Sequence, residues 1–350
     1  MTGGVAVDVL ADDPGRDWTV PGVYSVAPGV YRIPLPLPSD ALKAVNVYAV
    51  LDGDDLVLID SGWALDAARE ALVAGLGGIG RGLGDVRRFL VTHLHQDHYT
   101  QAVALRREFG MEVALGKGEQ PSLDVVSAAT SPLSSVYIER LRTAGAFALV
   151  DRLASMPRPP RDPGLWGQPD EWLSDRATAA VGSRELTAVA TPGHTRGHLV
   201  FVETGTALLF AGDHVLPHIT PSIGFESAPA DFPLRDYLDS LQLVRAMPDA
   251  RLLPAHGRVT ASAHQRVDEL LEHHDRRLAQ IEALIVAGAG TAYEAASRMT
   301  WTRRQRTLSE LDPFNEMLAV LETMSHLDVL VLQGRLRRTD VDGSRHYQVG

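Results

Sequence analysis

The sequence predicts an α/β (α+β) protein, and three observations carry that prediction. Short apolar segments punctuated by Gly and Asp fill the first half of the chain, a stretch of helical apolar spacing interrupts them, and the last part is mainly helical. The first strand candidates are GVYRIPL, AVNVYAVLD, DLVLIDSG and VRRFLVTH, rich in β-branched and aromatic residues, with a helix from about Leu65 to Leu76 between the third and fourth. After MEVALG, residues 117–182 read as a helical insertion: SSVYIERLRTAGAFALVDRLASM keeps apolar positions three and four apart, and PRPPRDPGLWGQPDEW is a loop. Strands resume in RELTAVATPGH, ALLFAGDH and ARLLPAHG. Helices follow near 262–287, 291–299 and 313–327, then the hairpin-like GRLRRTDVDGSRHYQV. The expected division is a flexible tail over 1–22, a strand-rich domain over 23–257 that includes the insertion, and a C-terminal domain over 258–350.

Composition removes several function classes. The absence of cysteine excludes structural disulfides, thiolate metal ligands and a cysteine nucleophile. The opening MTGGVAVDVLADDPGRDW lacks the basic start and apolar segment of a secretory signal, and no apolar run approaches the ~20 residues of a membrane-spanning helix. A soluble, cytoplasmic protein is expected. A net charge of −11 argues against a general polyanion binder.

The chemistry concentrates at strand ends. FLVTHLHQDHYTQ places His93, His95, Asp97 and His98 within six positions, directly after an apolar strand. Three imidazoles and a carboxylate so close together are costly to bury unless paired or metallated. AVATPGH, LLFAGD and LLPAH repeat the form: a strand stops and delivers His194, Asp213 or His256. Alone, Asp213 reads equally as a turn aspartate and LLPAHG says little, but four matching strand ends converge on one sheet edge. Seven ligands exceed what one tetrahedral zinc needs, and two metals sharing a carboxylate use them all, so a binuclear site is expected. His264, His273 and His274 fall in the charged helical stretch HQRVDELLEHHDRRLAQ and read as a solvated face, while His326 and His346 read as unrelated to the chemistry.

H-x-H-x-D-H at His93 to His98, followed by TPGHTRGH, AGDH and PAHG, resembles the metallo-β-lactamase fold superfamily over about residues 23–257. The resemblance implies a four-layer αββα sandwich with metals at one edge of the paired sheets. It assigns His93, His95 and His194 to a first metal, Asp97, His98 and His256 to a second, and Asp213 to the bridge. Asp60 in VLIDSG matches an acid that orients the ligand loop, although an ordinary turn acid is an equal reading of the local sequence. True zinc β-lactamases are usually exported and often use a cysteine ligand, and this chain matches neither trait. It is closer to the glyoxalase II-like and β-lactamase-like protein 2 group, which hydrolyse thioesters, esters, lactones or phosphodiesters. Bulky Gln96, and HYTQ in place of a glycine-containing continuation, depart from that pattern.

The function this implies is a binuclear hydrolase that directs a metal-bridging hydroxide at a carboxylic thioester, ester or lactone, with two zinc ions as cofactors and iron or manganese left open. Asp97 is the expected catalytic acid-base residue, orienting the hydroxide and passing a proton to the leaving group. His218 stands beyond the bridging ligand, where a substrate contact and a local hydrogen bond are both open. Val136, Ile138, Leu141, Phe147, Leu149 and Leu153 either form an apolar lid over the metal edge or pack the insertion against its own domain. The tail resembles a winged-helix appendage, but its balance of Arg and acids favours packing or homodimer formation over nucleic acid. The expected partner is a small molecule with an apolar body. A metal-dependent nuclease and a non-catalytic metal-binding protein are the alternatives.

Overall fold

Two sheets face each other in this computed structural model, which describes residues 8–37, 42–129, 135–157 and 162–350. In the first, β1 (Val9–Ala11) lies parallel to β2 (Val23–Ala27), and antiparallel pairing links β2, β3 (Val30–Pro36), β4 (Ala44–Asp52) and β5 (Asp55–Ile59). Parallel pairing then adds β6 (Val86–Val91), β7 (Glu112–Gly116) and β8 (Glu171–Leu173). The second sheet holds β9 (Thr178–Val181), β10 (Arg184–Ala190), β11 (Leu199–Glu203), β12 (Leu208–Gly212) and β13 (Arg251–Pro254), antiparallel except for β12 with β13. β4 is apolar almost continuously because it lies between two layers, and residues Ala44–Val50 are all buried.

Three apolar layers separate four structural ones. Between the sheets, Val50, Val57, Leu90 and Ala114 meet Leu186, Phe201, Phe210 and Leu253. Outside the first sheet, α1 (Asp66–Gly78), α2 (Gln96–Phe109) and α3 (Gln120–Ala128) contribute Leu72, Val103 and Leu123 to a second core. Outside the second sheet lies the third core, formed with α4 (Ser135–Thr143), α5 (Phe147–Ser155), α6 (Pro233–Ala246), α7 (Ala263–Val286), α8 (Ala292–Ser297) and α9 (Pro313–Leu332). This is the expected αββα order. α6 shows why such a helix forms here: Pro233 occupies its first turn, and Leu234, Tyr237, Leu241 and Val244 make one buried stripe. Small hairpins, β14 (Thr300–Trp301) with β15 (Arg306–Thr307) and β16 (Leu336–Val341) with β17 (Ser344–Val349), complete the tail.

Three expectations need correction, and of two open readings of the insertion the packing one fits. Residues 8–22 are not a loose tail: β1 pairs with β2, and buried Arg32 is neutralised by Asp12 at 2.6 Å and donates to the Trp18 carbonyl at 2.9 Å. A buried guanidinium needs such partners, and they tie the segment down. The insertion is not helical throughout, since β8 and β9 occur within it and extend both sheets. Its Leu141, Leu149 and Leu153 point into the third core beside Leu234 and Leu327 instead of covering the metal edge. His274 does not face solvent: it is fully buried, and its Nδ1 lies 3.1 Å from His326 Nε2, joining α7 to α9. The tail packs into that same third core, Val267, Ile281 and Leu327 lying in one cluster with Val200 and Leu241. No helix among the described residues is long and apolar enough to cross a membrane.

Candidate metal centre

Strand direction explains why the seven sequence-predicted ligands meet. β5 and β6 are parallel, as are β12 and β13, and β10 runs with them across β11, so their C-terminal ends share one edge. The sheets are tied there: Leu199 N donates to Thr92 O at 2.8 Å, and Asn46 Nδ2 to the carbonyls of Pro254 and Gly257 at 3.0 and 2.9 Å. Gly212 adopts φ +50°, and a Cβ on it would come within 2.7 Å of Thr92 and His198, so this turn into Asp213 requires glycine.

Two donor groups result. His93, His95, His194 and Asp213 form one, and Asp97, His98 and His256 the other, each with its ligand atoms within 4.8 Å of one another. His93 Nε2 and His95 Nδ1 are 3.0 Å apart, and His194 Nε2 lies 3.3 and 3.1 Å from them. Asp213 faces both groups, Oδ2 at 3.6 Å from His194 and Oδ1 at 3.4 Å from His256 and 3.7 Å from His98. Asp97 Oδ2 is 3.4 Å from His256 Nε2.

The outer nitrogens fix the tautomers. His194 Nδ1 donates to Ser222 O at 2.8 Å, His256 Nδ1 to Ala44 O at 2.8 Å, and His98 Nδ1 to Asp60 Oδ2 at 2.9 Å. His95 Nε2 faces Phe225 O at 3.4 Å. Thr92 Oγ1 gives its proton to Asp60 at 2.9 Å and therefore accepts from His93 Nδ1 at 3.0 Å. In this arrangement every one of the five imidazoles turns a lone pair inward, which is the arrangement metal-ligating histidines require. Buried His98 Nε2, His256 Nε2 and Asp213 Oδ1 have no hydrogen-bond partner among the described residues, so the residues fit a metal cation.

Charge points the same way. Burial, then the neighbouring imidazoles, push His93 and His194 well below the ordinary histidine value. Burial opposes charge on His98 too, but Asp60, Asp97 and Asp213 hold it up at about 10, so the second group demands a positive charge. Burial also works against the Asp97 carboxylate, yet His98 and His256 keep it below the usual range.

Asp60 sits behind the donor groups, in contact with Thr92 and His98. Its left-handed φ of +59°, tolerated by Asp, brings its carboxylate onto Thr92 and His98 together. His218 is an exposed rim residue beside the Gly257 turn and belongs to neither donor group. Gln96 is exposed, so its bulk is accommodated.

Four further residues are not anticipated by the sequence reading. His198, the second histidine of TPGHTRGH, is buried, and its Nε2 receives Asp213 N at 3.2 Å. Glu119 and Glu226 are buried at the back of the ligand loops, with burial, and for Glu119 the neighbouring Glu226, pushing their carboxyls up. Thr195 Oγ1 donates to Glu119, and Arg196 N to Glu226 at 2.9 Å. The motif spacing signals His198, but nothing local signals the glutamates or Phe225, whose partners lie 30 to 130 residues away.

Comparison with known proteins agrees with this geometry. The family model described as the metallo-beta-lactamase superfamily matches residues 41–256, more than half of the chain and every ligand above. The chain belongs to the metallo-beta-lactamase superfamily. A crystal structure of a metallo-beta-lactamase family protein from Thermus thermophilus superposes with a TM-score of 0.75 at 27% identity, covering 93% of this chain and 100% of that one. A beta-lactamase-like protein 2 homolog of Caenorhabditis elegans is 34% identical over 110 residues, 31% of this chain and 35% of the relative. An atrochrysone carboxyl ACP thioesterase of Aspergillus fumigatus is 24% identical over 269 residues, 77% of this chain and 50% of the relative. The chain thus spans less than two thirds of the length of either curated relative. Its superfamily is one of metal-dependent hydrolases, and the His/Asp cluster stands where such a metal would be held.

Proposed function

We propose that the chain is a binuclear metal-dependent hydrolase of a carboxylic thioester, ester or lactone, with two zinc ions as the native cofactors. The observation that carries this reading is the pair of abutting donor groups sharing Asp213, with all five imidazole lone pairs aimed inward. His93, His95 and His194 would hold one ion and Asp97, His98 and His256 the other. Bound there, the ions supply an acidified water as nucleophile and a Lewis acid for the carbonyl oxygen. The chain's own residues supply the rest. Asp97 is the most accessible carboxylate of the centre, its side chain 14% exposed against 9% for Asp213 and 3% for Asp60. It is placed to hold a proton taken from water and deliver it to the leaving group. Asp60, through Thr92 and directly, keeps His93 and His98 turned toward the metals. The thioesterase among the relatives supports acyl chemistry.

Elemental analysis of metal-replete protein, run beside a panel of thioesters, esters, lactones and nucleic acids, tests the proposal. Close to two metals per chain and release of a carboxylic acid are expected. At most one metal, or turnover confined to phosphodiesters, overturns it.

A further inference from the structure

The ring of His95 marks one end of an aromatic strip that the chemistry above does not use. Its centroid is 5.8 Å from that of Phe225, whose carbonyl also receives His95 Nε2. Phe225 in turn stacks on Tyr137 of α4 at 5.0 Å and 17°, and meets Phe314 of α9 edge-on at 5.3 Å and 88°. Phe314 is 46% exposed, so the strip runs from a metal-facing histidine to solvent. It is rigidly built. Asp312 caps α9 by accepting from Phe314 N and Asn315 N at 3.1 Å each, with Pro313 in the first turn. The loop bearing Phe225 is wedged between helices: a Cβ on Gly224 would come within 3.0 Å of Ser325 Oγ and 3.1 Å of Arg140 Nη2. Two neighbouring charges are engaged elsewhere, Arg140 with the Gly224 carbonyl and Glu316 with Arg152.

We propose that Phe225 and Phe314, backed by Tyr137, form the wall that receives the acyl part of the substrate, and that this part is apolar, an aryl group or a medium-length alkyl chain. The proposal rests on the reading of the centre as a hydrolase of carboxylic thioesters, esters or lactones. It gives the C-terminal segment a place in substrate selection, because α9 supplies the outer ring. Residues of this kind set the ratio of kcat/KM between substrates, since a lost apolar contact weakens only those substrates long enough to make it.

The test compares acetyl, decanoyl and phenylacetyl thioesters of one thiol on metal-loaded wild type, Phe314→Ala and, as a surface control, Phe109→Ala. Wild type and Phe109→Ala are expected to favour the two apolar acyl groups over acetyl. In Phe314→Ala that ratio should fall about 10-fold. Calorimetric binding of decanoate against acetate to the same metal-loaded proteins provides an arm independent of turnover, and decanoate should lose its margin in Phe314→Ala. An unchanged acyl ratio or an unchanged decanoate margin in Phe314→Ala overturns the wall. Absence of turnover on every thioester, with the decanoate margin present in wild type and lost in the variant, overturns the hydrolase reading while leaving the wall in place.

Discussion

At the scale of single residues, the centre separates side chains that would hold metal from side chains that would move protons. Asp97→Asn keeps size and one oxygen donor but removes the charge that accepts a proton. It should lower kcat by about 10²–10⁴-fold. The group formed by His93, His95, His194 and Asp213 should keep its metal in that variant, which elemental analysis run with the kinetics checks; near wild-type turnover would remove Asp97 from the mechanism. Asp60 acts one step further out. Because its carboxylate holds His98 directly and His93 through Thr92, Asp60→Ala leaves two candidate ligands unoriented. Loss of such an outer partner typically weakens metal affinity about 10–100-fold, measurable by competition with a chelator. An unchanged affinity would mean that packing alone orients those imidazoles.

At the scale of elements, buried histidines make the contact between α7 and α9 sensitive to acid. His326 Nδ1 donates to Glu322 O at 2.8 Å, so His326 Nε2 accepts from His274 Nδ1 and the pair is bound in its neutral form. Burial, then His326 beside it, pushes His274 well below the ordinary value of 6.5, and burial takes His326 down to about 3. A depressed pKa gives stability that is complete above the unfolded value and is lost as pH falls from 6.5 toward the folded one. About 2–3 kcal/mol should be lost by pH 4.5 for His326 alone. Urea unfolding across that range should show wild type falling more steeply than His326→Phe, and parallel curves would remove the pair from the pH response.

This pair also shows where sequence reading stops. In HQRVDELLEHHDRRLAQ, His274 sits among charges, and only the approach of α9 some fifty residues later makes its face an interior one. The candidate ligands that meet at the sheet edge are legible for the opposite reason: each lies within a few residues of the end of its own apolar strand, a signal that needs no tertiary information. β8 and β9 are strands of three and four residues, too short for alternation to register, and Phe225 lies in a loop, where no periodic pattern marks it.

At the scale of the whole molecule, the candidate metal centre joins parts that are otherwise held mainly by apolar layers. Its donors come from the edge of the first sheet and the start of α2, and from three strand ends of the second sheet. The loop carrying Ser222 and Phe225 reaches them from between α4 and α9. Ions bound at that junction favour the folded chain over the unfolded one, so stability should follow metal concentration by mass action. At a free metal concentration 100 times the dissociation constant the gain is about 2.7 kcal/mol, worth about 3–4 °C in Tm for a chain of this size. Removing metal with a chelator should therefore lower Tm by several degrees, and adding zinc back should restore it. His93→Ala, which deletes a donor from the first group, should keep only part of that response, because the second group remains. A Tm indifferent to chelation in wild type would show that the two sheets close without help from the centre, and that the inward-facing imidazoles hold no metal tightly.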